Sequence, residues 1–445
     1  MTTMTRSIPW SNKSVRQLER DHGDPLVAVT KLARALTYDA IENGWAGPPF
    51  DPLFIARMIG LDVLANDDVV EARLIPTETS ARIEFNPSRP AGRRRFSIAH
   101  EIAHTLFQDF REAIRNREPG DRAHSDDWQL EALCNVAAAE FLMPVGCFPD
   151  VGEAALEIRS LLQLRSQFDV SLEALLLHVV KNVQRPAAAF AASRVDPAGE
   201  SQALRIDYLV GSPSWTNELR GGARLTDSPC LREITAVGWT ATGTEQWAPS
   251  SVPLMIQAAG IPPYPEHVFP RVVGILEYES VASTERSIQY LLGDATEPRG
   301  SGSRIIAHIV NNRAHRWRGG FAGALRRRHP SADKDFTAQA TNNADALTLG
   351  SAIVTQLDPS LSVVNLVAQE GYGKSKTARV RYAALEVALE RLRDLASVSG
   401  ANVHMPRIGT GQAGGDWRLI EGLINEKLVS AGIQVTVYDL PGTTS

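Results

Sequence analysis

Two histidines and a glutamate in one short run have the spacing needed to hold a metal ion and activate water. His100, Glu101 and His104 lie in an apolar stretch from Phe96 to Leu106. Residues four apart share one face of a helix, so both imidazoles can bind one ion while the carboxylate points at a metal-bound water. Zinc lowers the pKa of such a water to about 7, and a carboxylate can then accept its proton. The spacing predicts a zinc hydrolase with Glu101 as general base.

A third ligand is required, because catalytic zinc sites use three protein side chains and keep a fourth position open. Glu131 opens an alanine-rich stretch that we expect to form a second helix ending before Pro144. Its carboxylate is the best candidate, and Glu140 in the same stretch is the competitor. The sequence thus predicts a Zn²⁺ site built from His100, His104 and one of these two glutamates.

These two segments resemble the ImmA/IrrE family of metallopeptidases. The resemblance rests on Arg95 to His104 and on Glu131 to Pro144, and it covers roughly residues 25 to 180. It assigns metal ligation to His100, His104 and Glu131 and the role of base to Glu101. Members of the family cut repressors of the helix-turn-helix kind and so switch on stress responses. The resemblance therefore implies an endopeptidase whose substrate is a regulatory protein of that class.

Size and composition favour a cytoplasmic protein of several domains. The chain has 445 residues, which exceeds the size at which one core stops growing, so we expect about three domains. No apolar run reaches the length of about eighteen residues that a membrane span needs, and Met1 to Arg20 is polar. Three scattered cysteines predict reduced thiols.

The charge of the chain argues against nucleic acid as a direct partner. The net charge is −5, which does not suit a protein built to hold a polyanion. Two local arginine runs, at 93–95 and 326–328, are predicted to be solvated flanks of helices or loops.

The elements around the metal motif predict an α+β, zincin-like peptidase domain over residues 25–184. Helices over Leu26 to Tyr38 and from Pro52 onward should cover its core. The alternating stretch from Val69 to Asn86 predicts a small hairpin or sheet. After Pro144 the pattern predicts two more helices, over 154–168 and 172–183, with Ser171 as the N-cap of the second.

Residues 187–283 predict a small β-rich middle domain. Short β-like runs alternate there with Gly, Pro and Ser clusters. Trp215, Trp239 and Trp247 are predicted to be core aromatics, since such side chains supply much of the buried area in small β domains. No residue there suggests a chemical activity.

Alternating β and α patterns over residues 285–441 predict a three-layer α/β/α domain with phosphate-binding loops. Candidate ligand-binding residues follow its strands and precede its helices: Asp294, Asn312, Gly319, Gly320, Phe321, Gly409, Thr410, Gly411, Gln412, Ala413 and Gly414. Glycine lets backbone N–H groups approach a phosphate, and a helix N-terminus adds partial positive charge. Two such loops in one domain suggest a diphosphate.

Together these loops resemble a macrodomain, the module that binds ADP-ribose. The resemblance implies that Asp294 bonds the adenine amino group and that Asn312 and the loop 319–322 hold the distal ribose and a phosphate. It also implies that the loop 409–414 wraps the diphosphate. The match is strongest to a branch of ADP-ribosyl hydrolases with a lysine nucleophile. Where that branch carries its lysine and a catalytic aspartate, this chain has Gln369 and Ala413, so we expect binding without covalent hydrolysis.

One catalytic and one binding module on a single chain lead to the hypothesis of a zinc endopeptidase gated by ADP-ribose or an ADP-ribosylated protein. Gating requires that the ligand bind the active and inactive states with different affinity. The alternatives are a protein that recruits ADP-ribosylated targets and an ADP-ribosyl hydrolase antitoxin.

Overall fold

The computed structural model describes residues 10–77, 80–110, 115–116, 127–147, 156–183, 185–196, 203–264, 267–278, 287–343, 345–373, 375 and 377–440. Helices and strands occur throughout these residues. The helices are α1 Lys13–His22, α2 Pro25–Glu42, α3 Pro52–Met58, α4 Ala91–His104, α5 Asp127–Leu142, α6 Ile158–Phe168, α7 Leu172–Asn182, α8 Pro229–Arg232, α9 Gly320–Arg328, α10 Pro330–Asn342, α11 Tyr382–Ser399 and α12 Trp417–Ile424, which a π-helical turn Asn425–Val429 follows. The strands are β1 Asp62–Ala65, β2 Ala72–Pro76, β3 Ala81–Phe85, β4 Arg115–Asn116, β5 Ala187–Arg194, β6 Leu204–Gly211, β7 Arg224–Leu225, β8 Thr240–Glu245, β9 Leu254–Ile261, β10 Arg271–Tyr278, β11 Gln289–Leu292, β12 Arg304–Asn311, β13 Ala352–Asp358, β14 Leu361–Gln369, β15 Asn402–Pro406 and β16 Val435–Asp439.

The chain folds into two units. The first contains Met1–Ala33, Gly47–Met143 and Asp150–Thr284, and the second contains Arg34–Ala46, Pro144–Pro149 and Glu285–Ser445. The predicted domain limits 25–184, 187–283 and 285–441 stay a prediction. They did not anticipate that Arg34–Ala46 and Pro144–Pro149, two short segments of the predicted peptidase domain, group with the C-terminal unit. Tyr38 shows the reason, because its side chain is buried in the core of that second unit.

In the first unit, a four-stranded sheet has the order β1-β3-β2-β4. The hairpin predicted between Val69 and Asn86 is confirmed, since β2 and β3 pair antiparallel with Leu74 opposite Ile83. Both side chains are fully buried, and α4 packs against β2 and β3. Cross-strand pairs of this kind fix the register of the sheet under the helix.

Helix α4 lies in the core of the first unit. Every residue from Ser97 to His104 is buried, as expected for a helix enclosed on several sides. Arg95 holds it in place by donating to Asp169 Oδ2 at 2.8 Å and to the Phe50 carbonyl at 2.7 Å. The prediction that Arg95 belongs to a solvated flank is wrong, since only 15% of its side chain is exposed.

Two further helices of this unit agree with the sequence. Helices α6 and α7 occupy the predicted positions, although residues 154 and 155 of the first prediction lie outside the described residues. The hydroxyl of Ser171 accepts from the Ala174 N–H at 3.1 Å, which confirms it as the N-cap of α7.

A six-stranded antiparallel sheet, in the order β7-β6-β5-β10-β9-β8, follows in the same unit. Trp247 is buried and meets Phe190 edge to face at 5.4 Å, so it is a core aromatic as predicted. Trp215 is half-buried and stacks on Tyr278. The prediction is wrong for Trp239, which is 56% exposed.

In the second unit, helices cover both faces of a six-stranded sheet with the order β11-β16-β15-β12-β14-β13. Every pair is parallel except β13 with β14. Ile305 and Ala307 of β12 pack in one core with α11 and α12, whereas Ile306 and Val310 pack in another with α9 and α10. Because neighbouring strand residues face opposite sides, this alternation makes a three-layer α/β/α arrangement.

No helix in the described part of the chain is long and apolar enough to span a membrane. The cytoplasmic location stays a prediction.

Candidate functional site

Helices α4 and α5 of the first unit bring the predicted metal ligands together. Nε2 of His100 lies 2.9 Å from one carboxylate oxygen of Glu131, and Nε2 of His104 lies 3.5 Å from the other. Both histidines are buried, and the Glu131 side chain is 19% exposed. Two ligands each about 2.1 Å from a tetrahedral ion stand about 3.4 Å apart, so these two N···O distances are close to those of ligands that share one small ion.

The far nitrogen of His100 shows which way its lone pair points. Nδ1 of His100 lies 2.9 Å from Oδ1 of Asn135, an oxygen that only accepts, so Nδ1 donates and Nε2 of the neutral ring presents a lone pair. The Glu131 oxygen opposite also presents a lone pair, and two lone pairs repel unless a cation lies between them. A metal ion bound between them would satisfy the carboxylate and both imidazoles at once. The donor set therefore fits a metal ion.

Cys134 is a rival donor, since its sulfur and the two imidazoles have ligand atoms within 4.8 Å of one another. Its Sγ lies 3.4 Å from Nδ1 of His104, whereas Glu131 lies near Nε2 of the same ring. These two nitrogens point away from each other, so Cys134 and Glu131 serve opposite sides of the imidazole. On the side of Glu131, the Nε2 atoms of both imidazoles approach the same carboxylate.

Two other candidate carboxylates, Glu101 and Glu140, lie on the same helices. Glu101 follows His100 on α4 and is fully buried. Glu140 is buried on α5. Burial lowers the pKa of Lys181 on α7, and the charge of Glu140 partly offsets this by raising it. The structure thus places Glu131 beside both histidines and gives Glu140 a cationic neighbour on another helix.

Cys134 and Asn135 were not predicted from the sequence. They follow Glu131 by three and four positions on α5, a spacing that places them on the helix face that carries Glu131. The signal in the sequence that could have identified them was a small polar residue three and four positions after the candidate ligand Glu131.

In the second unit, the loop from Gly409 to Gly415 follows β15 and precedes α12. It is closed by hydrogen bonds from Gly415 N to the Gly409 carbonyl at 2.9 Å and from Gly414 N to the Gly411 carbonyl at 3.0 Å. The Ala413 carbonyl accepts from Arg379 N at 2.7 Å, which ties the loop to the start of α11. Gly409 has a φ of 77°, which other residues rarely adopt, so glycine is favoured there.

The two glycine-rich loops lie side by side. A Cβ at Gly319 would come within 3.7 Å of the Gln412 side-chain nitrogen. Gly319 is also the N-cap of α9 and brings no side chain to that helix end, and Gly320 has a φ of 55°. The sequence predicted both loops, and the structure places one beside the other.

Behind these loops, a buried network fixes Trp317 and Phe321. The indole N–H of Trp317 donates to Oδ1 of Asn365 at 2.9 Å, and Nε2 of His308 donates to the same oxygen at 2.8 Å. The Phe321 ring lies edge-on to His308, with centroids 5.6 Å apart. Burial lowers the pKa of His308 to about 4, so this ring is neutral near pH 7. Neither His308 nor Asn365 was predicted from the sequence.

Other predicted ligand residues partly serve the loops themselves. One carboxylate oxygen of exposed Asp294 accepts from Thr296 N at 2.9 Å. Oδ1 of Asn312 accepts from Gly371 N at 2.9 Å, and the buried amide of Gln369 donates to the Gly371 carbonyl at 2.8 Å. Asn312 and Gln369 therefore shape the turn after β14.

Residues 60–179 match the family model described as the IrrE N-terminal-like domain, Peptidase_M78. The chain carries an IrrE-like metallopeptidase domain. This segment contains the site formed by α4 and α5. The radiation response metalloprotease IrrE of Deinococcus deserti is 33% identical over 117 residues, which are 24% of this chain and 40% of that protein.

A macrodomain of known structure and a further curated protein are also similar to part of this chain. A macrodomain protein from Streptomyces coelicolor has 40% sequence identity over 34% of this chain and 99% of that chain, with a TM-score of 0.31. Chromodomain-helicase-DNA-binding protein 1-like of Danio rerio is 30% identical over 171 residues, 37% of this chain and 16% of that protein. The chain thus spans less than half the length of each of these two curated relatives.

Proposed function

We propose that this protein is a zinc-dependent endopeptidase that cuts a transcriptional repressor or another regulatory protein, and that ADP-ribose at its C-terminal unit gates the activity. The convergence of His100 Nε2, His104 Nε2 and the Glu131 carboxylate carries the catalytic part. Two imidazoles and one carboxylate are a ligand set that zinc hydrolases use, and the open fourth position admits water or substrate.

Glu101 is the general base in this proposal. Bound zinc supplies Lewis-acid chemistry by polarising a water and the scissile carbonyl. Glu101 accepts the proton of the attacking water and later donates it to the leaving amine. Its full burial strengthens these electrostatic interactions, because a low-dielectric site screens charges weakly. His100, His104 and Glu131 hold their positions throughout.

Cleavage of a candidate helix-turn-helix repressor tests the catalytic part. We expect the zinc-loaded protein to cut it and a chelator to stop cleavage. Glu101→Gln should reduce kcat by about 10²-fold or more while zinc stays bound, since only the proton transfer is lost. Cleavage by Glu101→Gln at the wild-type rate would contradict the proposal.

ADP-ribose is the proposed ligand of the second unit, because the two adjacent loops suit a diphosphate. Within the described part of the chain, the N–H groups of Gly411 and Gln412 donate no hydrogen bond to a backbone carbonyl. The N-terminus of α9, which has a bare glycine cap, lies beside the Gln412 side chain. Free amides and a helix N-terminus together favour an anion.

Hydrolysis of an ADP-ribosyl bond is not the favoured activity of this unit. Gln369 is engaged with the Gly371 carbonyl and offers no amine, and Ala413 offers only a methyl group. Recruitment of ADP-ribosylated proteins without gating is the second candidate, since it needs only the binding loops.

Chain connectivity supports the gating. Helix α5, which carries Glu131, leads directly into Pro144–Pro149, and those residues belong to the second unit. There, Gly146 packs on the backbone of Leu419 and Gly422 in α12, the helix that follows the 409–415 loop. A shift of that loop on ligand binding therefore has a route to the helix of Glu131 through the packing of Gly146 on α12 and the short chain between Gly146 and α5.

Gating is tested by repressor cleavage with and without ADP-ribose. We expect the ligand to change the wild-type rate and to have no effect on Gly411→Glu, whose new carboxylate would repel the diphosphate. A Cβ added at Gly411 would meet no atom within 4 Å, and the residue has no positive φ, so the substitution should fold. Gly411→Gln is the neutral control. Binding without any change in rate would favour recruitment.

A further inference from the structure

Two neighbouring residues on α5 touch the far nitrogens of both metal-binding imidazoles. Asn135 Oδ1 lies 2.9 Å from Nδ1 of His100, and Cys134 Sγ lies 3.4 Å from Nδ1 of His104. The same helix carries Glu131 three and four positions earlier. One face of α5 thus supplies a ligand and a partner for each of the other two ligands.

We propose that Cys134 and Asn135 are positioning residues of the metal centre, and that Cys134 is not itself a ligand. The inference rests on the proposed zinc site. A hydrogen bond at Nδ1 fixes the ring tautomer, so that Nε2 has its lone pair toward the ion, and it also fixes the rotation of the ring. His104 Nδ1–H donates to the sulfur, which is a weak acceptor.

Burial makes the two contacts unequal. Asn135 is exposed, so water can replace its oxygen as the acceptor for His100. Cys134 is completely buried, and His104 is 2% exposed. Without the sulfur, the buried Nδ1–H would lose this acceptor where water has little access, and the loss of a buried hydrogen bond is costly. Cys134 therefore contributes more than Asn135, although sulfur is the weaker acceptor.

Two substitutions at Cys134 separate hydrogen bonding from packing. Serine keeps an acceptor but places a hydroxyl in the site, whereas valine fills the volume without an acceptor. We expect Cys134→Val to weaken binding about ten-fold to a hundred-fold, Cys134→Ser to restore most of it, and Asn135→Ala to cost less than Cys134→Val. Cys230→Ser, in the first unit but away from α4 and α5, is the cysteine control.

The measurement is the affinity of the full-length protein for zinc by chelator competition, together with the absorption spectrum of the cobalt-substituted protein. Cobalt bound without thiolate should lack a sulfur-to-metal charge-transfer band in wild type. A band that Cys134→Ser removes would make Cys134 a ligand and overturn the proposal. Tighter binding in Cys134→Val than in Cys134→Ser would assign a packing role and overturn it as well. If Glu131→Gln leaves zinc affinity unchanged, the zinc site itself fails, which is a different outcome.

Discussion

The imidazole of His308 shows how a single residue links burial to pH. It is fully buried, and its pKa falls from 6.5 to about 4 because desolvation disfavours the charged ring. The folded state therefore binds fewer protons than the unfolded state between these values. The contribution of His308 to stability is therefore fully present above about pH 6.5 and is lost as pH falls toward 4.

We expect the pH dependence of unfolding to become shallower when His308 is removed. In His308→Met, the urea midpoint of the second unit should fall less between pH 6.5 and 4 than in wild type, since one titrating group is lost. Urea titrations across this window provide the comparison. Parallel pH profiles for the two proteins would contradict this role of His308.

At the scale of elements, the approach of the predicted metal ligands to one another was predictable because the information is local. The spacing of His100 and His104 fixes one helix face, and the alanine-rich stretch after Glu131 predicts α5. The contacts of Cys134 and Asn135 depend on how α5 lies against α4, which no local pattern contains. The prediction that Trp239 is a core aromatic was wrong for a similar reason. Its residue type favours burial, but its position in the fold leaves it exposed.

Gly146, in the segment that follows α5, contributes to stability through its close contact with α12. A Cβ at Gly146 would collide with the backbone of α12, and its φ is 75°. Gly146→Ala should destabilise the second unit by about 1–3 kcal/mol or more, since backbone atoms must move apart. Gly400→Ala is the matched control, because Gly400 also has a positive φ of 59° but open space around it. Equal losses of stability in the two variants would mean that the contact with α12 contributes nothing.

For the whole molecule, the second unit is assembled from three separate pieces of chain. Arg34, on α2, is buried and pairs with Glu386 at 3.2 Å and Glu426 at 2.7 Å. Glu42 Oε1 accepts from the Tyr382 N–H at 2.8 Å, and the Tyr382 hydroxyl accepts from Asp416 N, also at 2.8 Å. Asp416 follows the 409–415 loop. Residues 34–46 therefore contribute to the core of the second unit and to the contacts behind its proposed ligand loop.

A C-terminal fragment should consequently be weaker than the intact protein. Residues 285–445 alone would keep Lys427 beside Glu386 and Glu426 but would lose the buried Arg34, and removing a partner from a buried ion-pair network is destabilising. We expect the fragment to unfold at lower urea concentration than the second unit of the full chain and to bind ADP-ribose less tightly. Equal midpoints and equal affinities would show that the unit does not need residues 34–46.

The most direct test of the metal centre is an anomalous difference map at the zinc absorption edge from crystals of the full-length protein grown with zinc. We expect one strong peak about 2.0–2.2 Å from Nε2 of His100, Nε2 of His104 and a Glu131 oxygen. A peak bonded to Cys134 Sγ or to Glu140, or no peak between α4 and α5, would contradict the proposed metal centre.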